Sequence, residues 1–573
     1  MTAASPGTAP ASARTAELAE RGAAAAVQAF DAYQQEFLAV TRRARQRFAH
    51  RDWRGARADA MERLGVRARH VRDLADRLHW ELEGQAGDRD LWGAVKPLFR
   101  ARIARRPDVE LSESFFNSAS RRILGTLGID PRVEFVAGEL AAPLPDPGRP
   151  VFRTYAGGPT DSLLRRALED ADVGAAFQDL EGDAARAARK VDRFLGRAGF
   201  FALDVLRPVF YRGKGAYLVG RARQGAVDVP VLLALLHEEG GVRLDAVLLE
   251  ESQAAVVFSF ARSNFHVASD RPRAVVDFLR TILPRRRLSD LYAAIGYREH
   301  ARMELHREVL AHLEGSLDRF EPVRGDRGAV MAVFGLPSLD VVFKVIRDRL
   351  PPPRASSREE VMRRYELVLR HDRAGRLPDA QPFEHLVFPR ARFDPRLLEE
   401  LLSECAGTVR LSGDQVHVRH LFAERRVTPL KLFLRETDAE SARRAVVDLG
   451  AALRDLAATN TFPGDLRLEN FGITRTGRVV FYDYDGIRLL GEVTFRDGAA
   501  AAPAATAPEG EVDASRLLDA LELPAPLREP FAAAHGELLT AAYWRSIQER
   551  IRAGEIVDVF PYRAGERLEE EAP

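Results

Sequence analysis

The segment TFPGDLRLENFGITRTGRVVFYDYDG, residues 461–486, sets Asp465, Asn470, Asp483 and Asp485 among apolar residues. Asn470 follows Asp465 by five positions and Asp483 follows Asn470 by thirteen. Between the last two, short strand-like runs flank an Arg-Thr-Gly turn, so a hairpin would return Asp483 to the loop that carries Asp465. Taken singly, each of these residues is the kind that caps a turn or faces solvent. Taken together, they supply a carboxylate for an incoming hydroxyl and a carboxamide–carboxylate pair for a hard cation such as Mg²⁺, which prefers oxygen ligands. That combination is the chemistry of phosphoryl transfer.

Lysine occurs only at positions 96, 190, 214, 344 and 431, every other basic residue being arginine. Lys344, in LDVVFKVIRD, stands in a strand-like apolar run, where a compact ammonium is not interchangeable with a guanidinium. It is the candidate for holding nucleotide phosphates, with Glu384 in AQPFEHLVF as its expected carboxylate partner. VRGDRGA, comprising Val323, Arg324, Gly325, Asp326, Arg327, Gly328 and Ala329, offers a turn in which two glycines allow the backbone to approach a phosphate closely. VHVRHLFAERRVTPLKLFL would carry the hinge whose backbone meets adenine. The layout is that of protein-kinase-like enzymes. No Walker A motif, Gly-x-Ser-x-Gly elbow or His/Cys cluster competes with it.

These residues need elements to place them. A chain of 573 residues exceeds a single core and predicts two or more domains. Apolar residues at three- and four-residue spacing predict a largely helical stretch over the first three hundred residues. PVFYRGKGAYLVGRARQGAVDVPVLLALLHEEGGVRLDAVLLE interrupts it with the pattern of a small antiparallel sheet. The expected fold is α+β: a disordered tail at 1–20, a mostly helical unit at 21–318, then a bilobal kinase-like domain. Its N-lobe spans 319–424 and its C-lobe 425–573, with a flexible Ala/Pro loop near 497–513. Net charge is +1, with 85 basic and 84 acidic residues, which gives no pull toward nucleic acid or an anionic membrane. One cysteine, Cys405, excludes an internal disulfide and suits a reducing cytoplasm. No apolar run is long enough to span a bilayer.

NTFPGDLRLENFGITRTGRVVFYDYD closely resembles the corresponding segment of the bacterial isocitrate dehydrogenase kinase/phosphatase family. So do ESFFNSASRRIL, FYRGKGAYLVG, FARSNFHV, LYAAIGYREHAR, VFKVIRD, RHDRAGRLPDAQPFEHL, RHLFAERRVTPL and YWRSIQERIRAGEIVDVFPYR, in order along nearly the whole chain. The resemblance implies an N-terminal regulatory domain and a C-terminal kinase-like domain. It implies phosphorylation and dephosphorylation of a serine of NADP-dependent isocitrate dehydrogenase, which controls flux between the tricarboxylic acid cycle and the glyoxylate bypass. ATP and ADP would share one site, with Mg²⁺, or Mn²⁺ in its place, and AMP among the effectors. By motif, Asp465 would be the kinase base, Asn470 and Asp483 the metal ligands, and Lys344 the phosphate lysine. Residues 323–329 would be the ATP loop and Asp379, in GRLPDAQ, an active-site position. Asp485 would support the phosphatase reaction.

The chain departs from the family pattern where Glu469 replaces a lysine before Asn470 and Gly486 replaces an acidic residue. Arg467, two residues after Asp465, is then the cation expected to neutralise the γ-phosphate. Two alternatives stay open: a kinase acting on another protein or a small molecule, and a nucleotide-binding regulator without turnover. The oligomeric state is open too, with a dimer as the form to test.

Overall fold

A computed structural model describes residues 11–136, 150–196, 199–200, 202–225, 227–259, 265–325, 328–350, 357–371, 373–498 and 510–568. Four helices open the chain: α1 (Ala11–Ala49), α2 (Trp53–Glu81), α3 (Arg89–Ile103) and α4 (Val109–Leu124). The side chains of Asp52 and Asp88 start α2 and α3 by accepting hydrogen bonds from the backbone N–H groups of Gly55 and Asp90. The second half of the tail expected at 1–20 is ordered. Residues 11–20 are helical, because this Ala-rich stretch favours helix and Leu18 and Ala19 are buried in the bundle. Residues 1–10 lie outside the described residues.

Next come β1 (Phe152–Ala156), α5 (Thr160–Glu169) and α6 (Leu180–Leu195). They lead into β2 (Ala202–Leu206), β3 (Phe210–Arg212), β4 (Gly215–Gln224), β5 (Val227–Glu238) and β6 (Gly241–Leu248). The strands form one six-stranded sheet in the order β1-β2-β4-β5-β6, with β3 beside β4. Alternate residues face opposite sides. Phe210, Tyr217 and Leu232 join the helical bundle, while Leu203, Leu218 and Leu233 pack under α5 and α6. Helices α7 (Glu251–Val257), α8 (Pro272–Ile282), α9 (Leu288–Ala294) and α10 (Arg298–Gly315) complete this unit.

The second unit begins with β7 (Glu321–Pro322), β8 (Met331–Gly335), β9 (Val341–Ile346) and α11 (Arg358–His371). It continues with β10 (Gln381–Pro389), α12 (Pro395–Glu404), β11 (Val409–Ser412) and β12 (Gln415–Arg425). Its sheet runs β10-β12-β9-β8-β7, with β11 on β12. Leu305, Val309 and Leu313 of α10 share a core with Phe320, Phe343 and Phe388. The boundary expected near residue 318 therefore divides the sequence but not the packing.

The C-lobe holds β13 (Thr428–Pro429), α13 (Leu430–Glu436), α14 (Ala439–Ala458), β14 (Thr461–Phe462), β15 (Phe471–Ile473) and β16 (Val479–Phe481). After them come β17 (Arg488–Leu489), β18 (Thr494–Arg496), β19 (Glu511–Asp513), α15 (Leu517–Ala520), α16 (Ala525–His535) and α17 (Ala541–Arg552). Helix α14 is capped by Asp438, which accepts from the Ser441 N–H, and buries Val446, Leu449, Leu453 and Leu456 at helical spacing. β18 and β19 pair in parallel at the base of the expected flexible loop, whose residues 499–509 lie outside the described residues. Among the described residues, no helix is long and apolar enough to cross a membrane.

The chain end corrects the C-lobe boundary. Beyond α17 it returns to the first sheet, where Tyr562 Oη donates to Asp245 at 2.7 Å and the Arg567 guanidinium pairs with the same carboxylate at 2.6 Å. Asp245 is fully buried and also meets Arg243 at 2.7 Å. Asp245→Ala should leave two arginines without this counter-ion and lower stability by about 3 kcal/mol. Thermal melts check the loss, and limited proteolysis should release the segment that carries Tyr562.

Candidate active site

Lys344 on β9 is buried, with Nζ 2.8 Å from Glu424 Oε2 and 2.8 Å from the Tyr482 carbonyl. Its ammonium also lies 5.4 Å from the Tyr482 ring centroid and 5.6 Å from that of Tyr484. The sequence-based choice of Glu384 as its partner is corrected by register. β12 pairs with β9 so that Phe422 stands opposite Lys344, and Glu424, two residues on, points to the same face. Glu384 is exposed on β10 opposite His420, four residues and roughly 13 Å back along β12. Glu424 was within the hinge motif, but only strand register distinguishes it from its neighbours.

Helix α11 sends an aromatic ring, not a carboxylate, toward this pair. Tyr365 stacks on Phe422 at 4.0 Å and meets Tyr484 edge-on at 5.0 Å. Burial, then the neighbouring carboxylates led by Glu424, push the Tyr365 phenol well above its ordinary range, so it stays neutral.

The hairpin expected around Asp483 is present. β15 and β16 pair Phe471 with Phe481, and the Tyr482 N–H donates to the Asn470 carbonyl at 3.1 Å. Buried Arg376 anchors its outer edge: the Arg376 carbonyl accepts from the Phe481 N–H at 2.8 Å. Its guanidinium grips Asp448 and Asp455 of α14. Asp448 also accepts from the Val479 N–H at 2.6 Å. A strand clamped on both sides holds Asp483 in place two residues later. Sequence reasoning missed Arg376, because its partners lie more than seventy residues away.

Asp465 and Asn470 occupy the facing loop, where Asn470 Nδ2 donates to the Asp465 carbonyl at 3.2 Å. Gly464 must be glycine: a Cβ there would sit 1.8 Å from the Gly486 carbonyl oxygen. The two loops thus touch backbone to backbone. Arg467 clasps Asp465 through Nε at 3.0 Å and Nη2 at 2.6 Å. Burial raises the Asp465 carboxyl, but hydrogen bonds and charge from Arg467 outweigh it and hold the group below its ordinary range.

A cleft of about 1010 Å³ separates the lobes and gathers these parts. Lys344, Glu424, Arg467, Asn470, Asp483 and Asp485 line it, as do Val323, Arg324, Gly325, Gly328 and Ala329 from the turn between β7 and β8. Asp326 and Arg327 lie outside the described residues. Gly325 has φ of 134°, which suits glycine.

Residues 318–564 match the model of the isocitrate dehydrogenase kinase/phosphatase (AceK) kinase domain, and residues 23–317 match that of the regulatory domain. The chain belongs to the isocitrate dehydrogenase kinase/phosphatase family. Among its relatives, the isocitrate dehydrogenase kinase/phosphatase of Anaeromyxobacter dehalogenans (strain 2CP-C) is 52% identical, covering 96% of this chain and 98% of its own. That of Serratia proteamaculans (strain 568) is 36% identical over 95% of each chain.

Glu469 and Gly486, singled out in the sequence beside the motif, have a clear placement. Glu469 lines the cleft and joins Arg467 at 2.7 Å to Lys431 of α13 at 3.3 Å. At Gly486 an added Cβ would meet only ordinary contact, 3.4 Å from the Asp465 nitrogen, so the turn does not demand glycine there. Asp379, expected in the active site, lines a smaller cavity of about 70 Å³ behind the hairpin, 3.7 Å from Arg298 of α10. It does not face the cleft. The backbone beside it does reach the site, since the Pro378 carbonyl accepts a hydrogen bond from Tyr484 Oη.

Among the described residues there is no cluster of three His, Cys, Asp or Glu poised for a metal. The side-chain oxygens of Asn470 and Asp483 nonetheless line the cleft and fit a hard cation that takes its remaining ligands from phosphate and water.

Proposed function

We propose that the protein phosphorylates and dephosphorylates a serine of NADP-dependent isocitrate dehydrogenase. It would act in the cytoplasm, with adenine nucleotides including AMP shifting the balance between the two directions. The observation that carries the catalytic part is the convergence of Lys344, Asn470 and Asp483 on one cleft, with Asp465 joined to it through Arg467 and Asn470, in a chain whose relatives bear that activity in their name.

In the forward direction, Lys344, held by Glu424, would fix the nucleotide phosphates, and the turn at residues 323–329 would cover them. Asp465 would accept the proton of the serine hydroxyl as its oxygen attacks the γ-phosphorus and ADP departs with the bonding pair. Asn470 and Asp483 would hold Mg²⁺, or Mn²⁺ in its place. Bound there, the cation neutralises charge on the phosphate oxygens. In the reverse direction, Asp485, buried at the cleft wall, would orient the water that attacks the phosphoserine.

Purified protein, labelled ATP, Mg²⁺ and isocitrate dehydrogenase test this directly, followed by a chase with ADP. Transfer of label and its later release are expected. Nucleotide binding without label on the dehydrogenase would favour a regulator, and label on a different acceptor would favour another kinase substrate. Asp485→Ala should keep transfer within about threefold and slow release by about 10²-fold. Full retention of both activities would remove Asp485 from the mechanism.

A further inference from the structure

Of the chain's five lysines, only Lys344 and Lys431 belong to the kinase-like unit, and both line the cleft. Lys431 begins a run of alternating charge along the cleft floor. Its Nζ lies 3.3 Å from Glu469, Glu469 lies 2.7 Å from Arg467 Nη1, and Arg467 turns its remaining nitrogens onto Asp465. Lys431, Glu469 and Arg467 line the cavity, but Asp465 does not. Arg467 therefore both lines the cleft and holds the base, so a phosphate in the cleft would compete with Asp465 for the same guanidinium.

A guanidinium presents five donors in a plane, so it can hold one anion while exchanging another. A γ-phosphoryl group carries more charge and more acceptor oxygens than one carboxylate, and charge-assisted bonds to it are strong. ADP has no such group.

We propose that Arg467 is a nucleotide-gated cover of the base. It clasps Asp465 in the empty or ADP-bound cleft and is drawn off by the γ-phosphoryl of ATP, while Glu469, anchored by Lys431, keeps it within reach. This rests on the functional reading above. Asp465 is then bared only when a phosphoryl group is present to be transferred. Serine Oγ bonds to the γ-phosphorus, the bond from phosphorus to the ADP oxygen breaks, and the hydroxyl proton passes to Asp465. Once the phosphoserine has left and Asp465 has released its proton to solvent, Arg467 closes again on the carboxylate.

The test is calorimetric binding of MgATP and MgADP to the full-length protein and its variants. Asp465→Asn removes the competitor for Arg467, so ATP should bind about three- to tenfold more tightly, with ADP changed less than twofold. Arg467→Met should shrink the ATP-over-ADP preference about tenfold. The decisive variant is the double substitution. If Arg467 mediates the effect, the gain from Asp465→Asn disappears in the Arg467→Met background. A gain that persists there, being only relief of charge repulsion between Asp465 and phosphate, overturns the proposal, as does an unchanged ATP-to-ADP ratio in Asp465→Asn. Glu469→Gln, which keeps shape but loses the anchor, should lower that ratio several-fold, and no change would overturn the anchoring role. Binding of neither nucleotide to the wild-type protein would instead sink the functional reading itself.

Discussion

Asp483→Ala should abolish phosphoryl transfer and phosphate release together, by at least about 10³-fold each, while leaving the fold intact. Asp483 projects into the cleft from the end of a hairpin whose stability resides elsewhere: in the β15–β16 pairing, in the bonds from Arg376 and Asp448, and in the buried ring of Tyr484. Removing its carboxylate takes away a cleft oxygen donor without opening a core cavity. Steady-state assays in both directions, beside an unchanged circular dichroism melt, check this. Loss of one direction alone would show that the two reactions do not share this carboxylate.

The second large effect separates two glutamates. Glu424→Ala should cut kcat/KM for ATP by about 10²-fold, because Lys344 is buried and loses its counter-ion, about 3 kcal/mol on the barrier. Glu384→Ala should stay within about twofold, since its side chain is exposed on β10. ATP titrations of both variants decide between them. Equal losses would mean that the edge strand, not the Glu424 contact, supports the lysine. The pairing also sets this cleft apart in how its lysine is held. The counter-ion comes from β12 of the same sheet, so a displacement of α11 would disturb the Tyr365 stack but leave the Lys344–Glu424 pair in place.

What the sequence made legible was local. Asp465, Asn470 and Asp483 lie within nineteen residues, and spacing plus a turn motif suffices to bring them together. Lys344 stood out because it is a lysine in an arginine-using chain. Glu424 required the register of two strands about eighty residues apart, which no periodicity encodes. Arg376 acts through partners on a distant element, and as one arginine among many it carries no pattern. Asp379 could be placed only by the fold: its segment touches the site through the Pro378 carbonyl, while its side chain lies beside Arg298 of α10. The division near residue 318 was legible, since the regulatory and kinase models meet at 317 and 318, but the packing across it was not. α10 and the chain end pack across the boundaries that composition suggests.

The return of the chain end to the first sheet has a consequence for biosynthesis. Asp245 waits for Tyr562 and Arg567, which emerge more than three hundred residues later. At ribosomal speeds of about 5–20 residues per second, that delay is roughly 15–60 seconds. The first sheet is thus made, and must persist with Asp245 short of two of its partners, while the whole kinase-like unit is synthesised.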